Sequence, residues 1–207
     1  MLKAKFNTEK ISIKIGLVFS KLGLSPNIWT ILALLPAFLG FLFLLEGHLL
    51  IAAAFFILSG FLDAIDGAVA RVTGSVTNLG AFLDGIVDRY VEILLYLGLL
   101  FFLTNHSIEE IFIPHQYWIS LLIFGALMPT FVRAYADHRN IVTEPEDHRR
   151  MGGLIERAER LSLLFLGMVL GYFNPIYLAY LVVLVTVLAN ITALQRIVFV
   201  IRFKKVT

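Results

Sequence analysis

Four aspartates in one apolar stretch are the residues whose types and spacing indicate chemistry. Asp63 and Asp66 are three residues apart, and Asp84 and Asp88 are four apart. Residues at these spacings share one face of a helix, so each pair places two carboxylates on the same side. Carboxylates held that close repel one another and lose hydration, and a divalent cation offsets both penalties. Clustered hard oxygen ligands are typical of Mg²⁺ or Mn²⁺ sites.

The composition of the chain decides how these acidic pairs are interpreted. On a soluble helix they would usually form a solvated face, but hydrophobic residues make up 59% of the 207 residues and charged residues only 15%. This balance predicts an all-α membrane protein with several spans. Ionisable residues inside a membrane helix are costly, and they therefore mark a functional site. The sequence contains no cysteine, which excludes disulfides and thiolate chemistry.

Six apolar segments follow an N-terminal stretch that alternates lysines with apolar residues. We expect that stretch, residues 1–23, to form an amphipathic helix on the membrane surface. A cleaved signal peptide is less favoured, because Lys10, Lys14 and Lys21 interrupt any apolar core. Residues 24–207 are expected to form one membrane domain of six transmembrane helices. The predicted spans are long enough to cross a bilayer, and they cover residues 28–45, 49–71, 79–103, 118–137, 154–172 and 175–201.

Lysine and arginine are concentrated in alternate connections between these spans. The basic regions are the N-terminus, the neighbourhood of Arg71, residues 139–150 and the C-terminal Arg202, Lys204 and Lys205. The positive-inside rule therefore predicts that both termini and the connection between the aspartate pairs are cytoplasmic. We expect a multi-pass protein of the cell membrane, with its aspartates where a water-soluble nucleotide meets lipid headgroups.

The residues around the aspartates also match a known pattern. From Asp63 to Asp88 the chain reads D-x2-D-G-x2-A-R-x8-G-x3-D-x3-D, with every specified position filled. This pattern resembles the signature of the CDP-alcohol phosphatidyltransferases, which are integral membrane enzymes. The resemblance implies metal-dependent transfer of a phosphatidyl-type group from a CDP-lipid, CDP-diacylglycerol or CDP-archaeol, to an alcohol, with release of CMP.

The resemblance implies a role for individual residues. It implies two metal ions held by Asp63, Asp66, Asp84 and Asp88, with Asp88 also acting as the general base. The CDP-lipid contacts that it implies are Asn27, Ile28, Trp29, Thr30, Gly67, Arg71 and Thr77. The residues by themselves also allow structural roles at several of these positions. Glycine permits close helix packing, an arginine at this level can snorkel, and Thr77 can cap a helix. Asp88 can also be a ligand only.

Arginines in the second half of the chain indicate which kind of alcohol accepts the phosphatidyl-type group. Arg133, Arg157, Arg160 and Arg196 lie in or near predicted spans. Glu156 and Arg160 are spaced as a helical ion pair, but this pair does not account for Arg133 or Arg196, and we expect too few carboxylates near these arginines to neutralise them. Because arginine forms forked hydrogen bonds to phosphate, the cluster predicts a phosphorylated acceptor.

Two further segments resemble one branch of the family. GGLIERAERL and TALQR resemble the branch that makes phosphatidylinositol phosphate, or its archaeal counterpart. That branch implies that Arg133, Arg157 and Arg196 bind the phosphate of inositol phosphate. Its common R-A-E is replaced here by Arg133, Ala134 and Tyr135. The resemblance also implies a homodimer, with membrane lipids and no nucleic acid as partners. Glycerol phosphate is the alternative acceptor, and a cation transporter is the alternative class.

Overall fold

The described part of the chain is all-helical. The computed structural model describes residues 2–106 and 108–203, the first eight of them by backbone alone. Within these ranges the helices are α1 (Leu2–Ser20), α2 (Pro26–Leu32), α3 (Leu34–Leu45), α4 (Leu49–Thr73), α5 (Asn78–Asn105), α6 (His115–His138), α7 (Pro145–Arg150), α8 (Arg157–Phe173) and α9 (Pro175–Arg202). The basic residues Lys204 and Lys205 lie outside the described residues.

Four stretches of the described chain are long and apolar enough to cross a membrane. They are Pro26–Leu45, which comprises α2 and α3, and the helices α4, α6 and α9. This confirms the predicted all-helical membrane class. The other two predicted spans correspond to α5, which carries four charged residues, and to α8, which has only 17 residues. That these two helices also cross the membrane remains a prediction.

The first predicted span is interrupted at Ala33, which separates α2 from α3. Pro36, in the first turn of α3, has no backbone N–H to donate to the preceding turn, so the regular ladder of hydrogen bonds cannot continue through this point. At the start of α2, Ser25 occupies the N-cap position with extended backbone angles and Pro26 follows in the first turn, but the Ser25 side chain forms no capping bond.

The chain divides into two compact units, Met1–Gly98 and Leu99–Thr207. In the first unit α1 and α2 pack against α4. Trp29, Ile65 and Val69 form the buried core of this contact, with Ile15 and Phe19 packed against it. The backbones of α1 and α4 approach closely at Gly16, where a Cβ atom would lie 2.5 Å from the carbonyl oxygen of Ala68. The N-terminal helix is therefore an integral part of this unit, whereas its location on a membrane surface remains a prediction.

In the second unit α6 and α8 pack against α9. Asn190 Nδ2 on α9 donates to the carbonyl oxygen of Leu121 on α6 at 2.9 Å, and Ile155 N, in the connection before α8, donates to Thr192 Oγ1 on α9 at 3.1 Å. Hydrogen bonds between helices, such as that of Asn190, are a recurrent means of joining helices inside membranes, where burial of apolar surface gives little attraction. The short helix α7, which was not predicted from the sequence, lies within the basic connection.

Large apolar side chains lie exposed along both units. Examples on the candidate spans are Leu35, Phe38, Ile57, Phe61, Phe124, Phe131 and Leu184. A water-soluble monomer rarely exposes so much contiguous apolar surface. Together with the length of the helices, this surface indicates that the chain is a membrane protein.

Candidate active site

Three of the four predicted metal ligands form a compact carboxylate cluster. Asp63 and Asp66 lie one turn apart on α4, and Asp84 faces them from α5. Each offers one oxygen, and among the described residues these three oxygens lie within 4.8 Å of one another. Asp66 is buried and the other two are half-buried. So dense a group of acidic oxygens between two largely apolar helices fits a hard divalent cation.

Asp88 lies one turn beyond Asp84 on α5 and is not part of this group of three. One of its ionic contacts is with the neighbouring Arg89, whose Nη2 lies 3.9 Å from Asp88 Oδ2. Asp88 thus lies on the same helix as one cluster member but outside the group of three. Its roles as second-site ligand and as base therefore remain predictions.

Thr30 contacts the cluster directly. Its hydroxyl on α2 donates to Asp66 Oδ2, and both residues are buried. A hydrogen bond to one carboxylate oxygen limits how the group can rotate and leaves the other oxygen for a different partner. The start of α2 therefore reaches the carboxylates through Thr30, a contact that was not predicted from the sequence.

A cavity of about 360 Å³ adjoins the cluster within the first unit. It is bounded by α2, the end of α4, the connection that follows α4 and the start of α5. Asp66 and Asp84 line it, so the cavity and the carboxylates form one continuous site. Its volume is in the range of pockets that hold small-molecule ligands. Five of the predicted CDP-lipid residues line it as well: Asn27, Thr30, Gly67, Arg71 and Thr77.

The other two predicted CDP-lipid residues do not line this cavity. Ile28 is 43% exposed, and Trp29 is buried in the core between α1, α2 and α4. Trp29 packs edge-on against Phe19, with ring centroids 5.4 Å apart. In this structure the geometry of Trp29 is that of a core residue that anchors α2.

One structural role that the sequence allowed is visible at this cavity, the helix cap formed by Thr77. The backbone N–H of Gly80 donates to Thr77 Oγ1 at 3.0 Å, so Thr77 caps α5 while also facing the cavity. A Cβ atom on Gly67 would lie 3.2 Å from Nη1 of Arg71. Gly67 therefore leaves room for the Arg71 guanidinium beside the cavity.

Arg71 is held by the N-terminal helix. Its Nη2 donates to Ser12 Oγ at 2.7 Å, across 59 residues of sequence. The side chain is exposed and lines the cavity. The guanidinium is thus oriented by α1, which was expected from the sequence to be a separate surface helix.

In the second unit, Arg196 has partners that were not found from the sequence. Arg196 is buried, its Nη1 donates to the carbonyl oxygen of Pro129 at 3.0 Å, and its Nη2 pairs with Glu156 Oε1 at 3.0 Å. The expectation that Arg196 lacks a nearby carboxylate was therefore wrong. Glu156 lies 40 residues away along the chain, and the packing of α8 against α9 brings it close.

Arg133 is exposed on α6 and lines a second cavity of about 350 Å³ within the second unit. Arg157, half-buried at the start of α8, and Arg196 do not line this cavity. Arg196 nevertheless contacts Pro129, one turn before Arg133. That all three arginines bind one phosphate remains a prediction. The rest of the lining consists of Thr130, Ala134, Asp137 and His148.

Tyr135 occupies the position where the resembling branch has glutamate. Its hydroxyl accepts a hydrogen bond from Arg139 Nη2 at 2.7 Å, and the Arg139 guanidinium lies 5.0 Å from the centre of its ring. The tyrosine thus holds a basic side chain through a hydroxyl and a π face. This exposed contact involves Arg139, whereas Arg133 lines the cavity.

Three residues that follow Asp88 on α5 were not predicted from the sequence to be functional. They are Arg89, Glu92 and Tyr96. Glu92 is 2% exposed, pairs with Arg89 and accepts a hydrogen bond from Tyr96. A signal was present, because Glu92 is an ionisable residue inside a predicted span and such residues are rarely without a role. It lay outside the family pattern, which ends at Asp88.

Comparison with known proteins identifies the family. The sequence model of the CDP-alcohol phosphatidyltransferases matches residues 24–195. The chain is a member of that family. Family membership shows that the chain is an enzyme of phosphatidyl transfer, and it sets aside the alternative of a cation transporter.

Relatives within the family point to one branch. The chain is 31% identical over 186 residues to an archaetidylinositol phosphate synthase of Pyrococcus horikoshii, covering 89% of this chain and 87% of the relative. It is 32% identical over 162 residues to a phosphatidylinositol phosphate synthase of Mycobacterium tuberculosis, covering 76% of this chain and 69% of the relative.

The fold is also similar to solved structures of the Mycobacterium tuberculosis phosphatidylinositol phosphate synthase. The complex with CDP-DAG matches with a TM-score of 0.81 and 26% identity, covering 96% of this chain and 99% of that one. The complex with manganese and citrate matches with a TM-score of 0.80 and 25% identity, covering 95% and 93%. These structures show that this family fold accommodates a CDP-lipid and a divalent metal.

Proposed function

We propose that this enzyme transfers a phosphatidyl-type group from a CDP-lipid to inositol phosphate and releases CMP. The observation that carries the proposal is the continuity of the carboxylate cluster with the 360 Å³ cavity that contains the signature residues Gly67 and Arg71. The names of the relatives support inositol phosphate as the acceptor. The lipid part of the donor is either diacylglycerol or archaeol, which share the CDP group that the cavity would hold.

Asp63, Asp66 and Asp84 fit a divalent cation by the chemistry of their oxygens and by their mutual distances of no more than 4.8 Å. We propose Mg²⁺ or Mn²⁺ in two positions, with Asp88 completing the second. When bound, the ions neutralise the charge of the pyrophosphate and stabilise the attacking and leaving oxygens. The chain itself contributes the orientation of these ligands, part of which comes from the bond between Thr30 and Asp66.

Residues of the first cavity are proposed to hold the CDP group. Arg71 offers a guanidinium to the phosphates, while Asn27 and Thr77 offer polar side chains to the cytidine. The absence of a side chain at Gly67 lets the nucleotide approach α4 beside the Arg71 guanidinium. Asp88 accepts the proton of the acceptor hydroxyl as that oxygen attacks the lipid-bearing phosphorus, and the bond from that phosphorus to the oxygen of CMP breaks. General-base assistance of this kind contributes about 10²- to 10⁴-fold in rate.

The membrane arrangement is proposed to follow the predicted one. The enzyme would have six spans, including α5 and α8, with α1 at the membrane surface and the carboxylates on the cytoplasmic side. The exposed face of α1 supports this location, since it carries Lys14 beside Leu17 and Val18. Homodimerisation, which the family resemblance implies, belongs to the same proposal.

The bond between Ser12 and Arg71 gives a first prediction. Replacing Ser12 with alanine removes the hydrogen bond through which α1 holds the Arg71 side chain, so the guanidinium loses its orientation. We expect KM for the CDP-lipid to rise about threefold to tenfold, in line with the net worth of one hydrogen bond, while KM for inositol phosphate stays unchanged. Steady-state CMP release at varied CDP-lipid measures the effect.

Ser20→Ala is the matched control, because among the described residues the Ser20 hydroxyl bonds to the carbonyl oxygen of Leu17, within α1. It should leave both KM values unchanged. Equal changes in the two variants would show that α1 matters for stability alone and that Ser12 does not orient Arg71.

The acceptor is tested through Arg133, which lines the second cavity and forms no ion pair with the described residues. Arg133→Ala is expected to raise KM for inositol phosphate by about tenfold or more, as loss of one charge-assisted bond implies. KM for the CDP-lipid should stay within about twofold, since the nucleotide cavity is untouched. Arg133 is preferred to Arg196, because replacing Arg196 would also remove its ion pair with Glu156.

The control for this variant is Arg139→Ala just beyond the end of the same helix, where the arginine lies over the ring of Tyr135. It should leave both KM values unchanged. If inositol without phosphate reacts as well as inositol phosphate in the parent enzyme, or if glycerol phosphate reacts better, the acceptor assignment is wrong while the reaction class stands.

A further inference from the structure

A buried polar network continues along α5 beyond the site. Glu92 is 2% exposed and Tyr96 is likewise 2% exposed, although both lie in a helix that is otherwise largely apolar. Tyr96 Oη donates to Glu92 Oε2 at 2.9 Å, and Arg89 Nη2 lies 3.2 Å from Glu92 Oε1. Both carboxylate oxygens of Glu92 are therefore occupied by partners on its own helix.

Stability alone does not account for this network. Burial of a carboxylate and a guanidinium carries a desolvation cost that their attraction roughly offsets, so apolar residues of the same size would stabilise the helix as well or better. Inside a membrane protein the cost of a buried carboxylate is greater still. The network therefore indicates a functional role, in which the charged groups hold a neighbouring side chain in position.

The geometry of α5 identifies what is held. Asp88 and Glu92 are four residues apart and share one face of the helix, where two like charges repel each other. Arg89 lies next to Asp88 in sequence, and neighbouring residues on a helix do not face each other. Its Nη2 nevertheless lies 3.9 Å from Asp88 Oδ2 and 3.2 Å from Glu92 Oε1. The guanidinium is therefore folded back over the face that carries both carboxylates.

We propose that Glu92 is a positioning residue which, with Tyr96, holds the Arg89 guanidinium beside Asp88 and so orients the Asp88 carboxylate for the reaction. This inference rests on the proposed role of Asp88 as the base. Glu92 and Tyr96 touch neither substrate nor metal in this scheme and act only through Arg89. Catalysis depends on sub-ångström placement of the base, and a misplacement of about 1 Å can cost about 100-fold in rate.

The test is Glu92→Gln, which keeps the shape of the side chain and an oxygen for Tyr96 but removes the ion pair with Arg89. We expect kcat to fall about tenfold or more, with KM for the CDP-lipid within about twofold of the parent value. Tyr96→Phe is the milder second variant and should lower kcat in the same direction by a smaller factor. Glu109→Gln, an amide replacement at an exposed position, should leave kcat unchanged.

A double-mutant comparison separates positioning from a structural role. In single-turnover experiments on Asp88→Asn, the further change Glu92→Gln should lower the residual rate by less than about twofold, because Glu92 then has no base to orient. A further drop as large as in the parent would show that Glu92 supports the fold, and it would overturn the inference. Unchanged kcat in both Glu92→Gln and Tyr96→Phe would overturn it as well.

The same experiment distinguishes this inference from the proposed function. Normal turnover of Asp88→Asn would remove the base assignment and the positioning role with it. An inactive Asp88→Asn beside a fully active Glu92→Gln would overturn the positioning role alone. A parent enzyme that releases no CMP with inositol phosphate would contradict the proposed acceptor, and the same variants would then be measured with glycerol phosphate, whose hydroxyl needs the same base.

Discussion

Replacing Asp84 with asparagine is expected to lower CMP release by at least about 100-fold. Asp84 supplies one of three carboxylate oxygens within 4.8 Å, and it is the contribution of α5 to a cluster otherwise formed by α4. An amide carries no negative charge, so the site would hold a divalent cation more weakly. Loss of metal stabilisation worth several kcal/mol of the activation barrier corresponds to a rate loss of this size.

A second measurement, the melting temperature, reports on metal binding directly. Mn²⁺ should raise the melting temperature of the parent enzyme, because a ligand that binds only the folded state stabilises it, and this rise should be lost in Asp84→Asn. Glu46→Gln is the matched control, since Glu46 is an exposed carboxylate at the end of α3. Full activity of Asp84→Asn, with an unchanged response to Mn²⁺, would remove Asp84 from the metal site.

Replacing Asp88 with asparagine should lower kcat while leaving CDP-lipid binding largely intact. We expect kcat to fall by about 10²- to 10⁴-fold, because the amide has the shape of the carboxylate but cannot accept the acceptor's proton. Binding of the CDP-lipid should be largely retained, since Asp88 lies outside the three-carboxylate group. The two quantities are measured by single-turnover CMP release and by direct titration with the CDP-lipid.

The difference between these two variants separates a ligand from a base. If Asp88→Asn loses CDP-lipid binding and the Mn²⁺ response to the same degree as Asp84→Asn, Asp88 is a metal ligand only. Unimpaired turnover would exclude it from both roles. The structure favours separate behaviour, because Asp88 is engaged with Arg89 whereas Asp84 faces the pair on α4.

Much of the fold could be predicted from the apolar segments. Each predicted span corresponds to one helix, or in the first case to two, with ends that differ by a few residues, because long apolar runs bounded by charges and by proline are strong local signals. The break at Ala33 and the short helix α7 were missed. Both are local features without an apolar period of their own, and α7 carries mostly charged residues in a connection.

The parts of the site that depend on residues close together in the sequence were predicted. The pairs on α4 and α5 follow from helical spacing, and three of the four aspartates do come together. Three contacts between distant residues could not be predicted. Each joins residues at least 36 positions apart, so it depends on how whole helices pack rather than on any spacing within one. These contacts are Ser12 with Arg71, Thr30 with Asp66 and Glu156 with Arg196.

Metal-dependent phosphatidyl transfer is tested most directly by CMP release from the purified enzyme in lipid vesicles that contain CDP-diacylglycerol. With Mn²⁺ or Mg²⁺ present, addition of inositol phosphate should produce CMP together with one new phospholipid that carries the inositol phosphate, while a chelator should abolish both. Free inositol and serine should support little release, since the cavity beside Arg133 would lack its phosphate. Release that persists undiminished in the chelator, or the absence of any lipid product with every phosphorylated acceptor, would contradict metal-dependent phosphatidyl transfer.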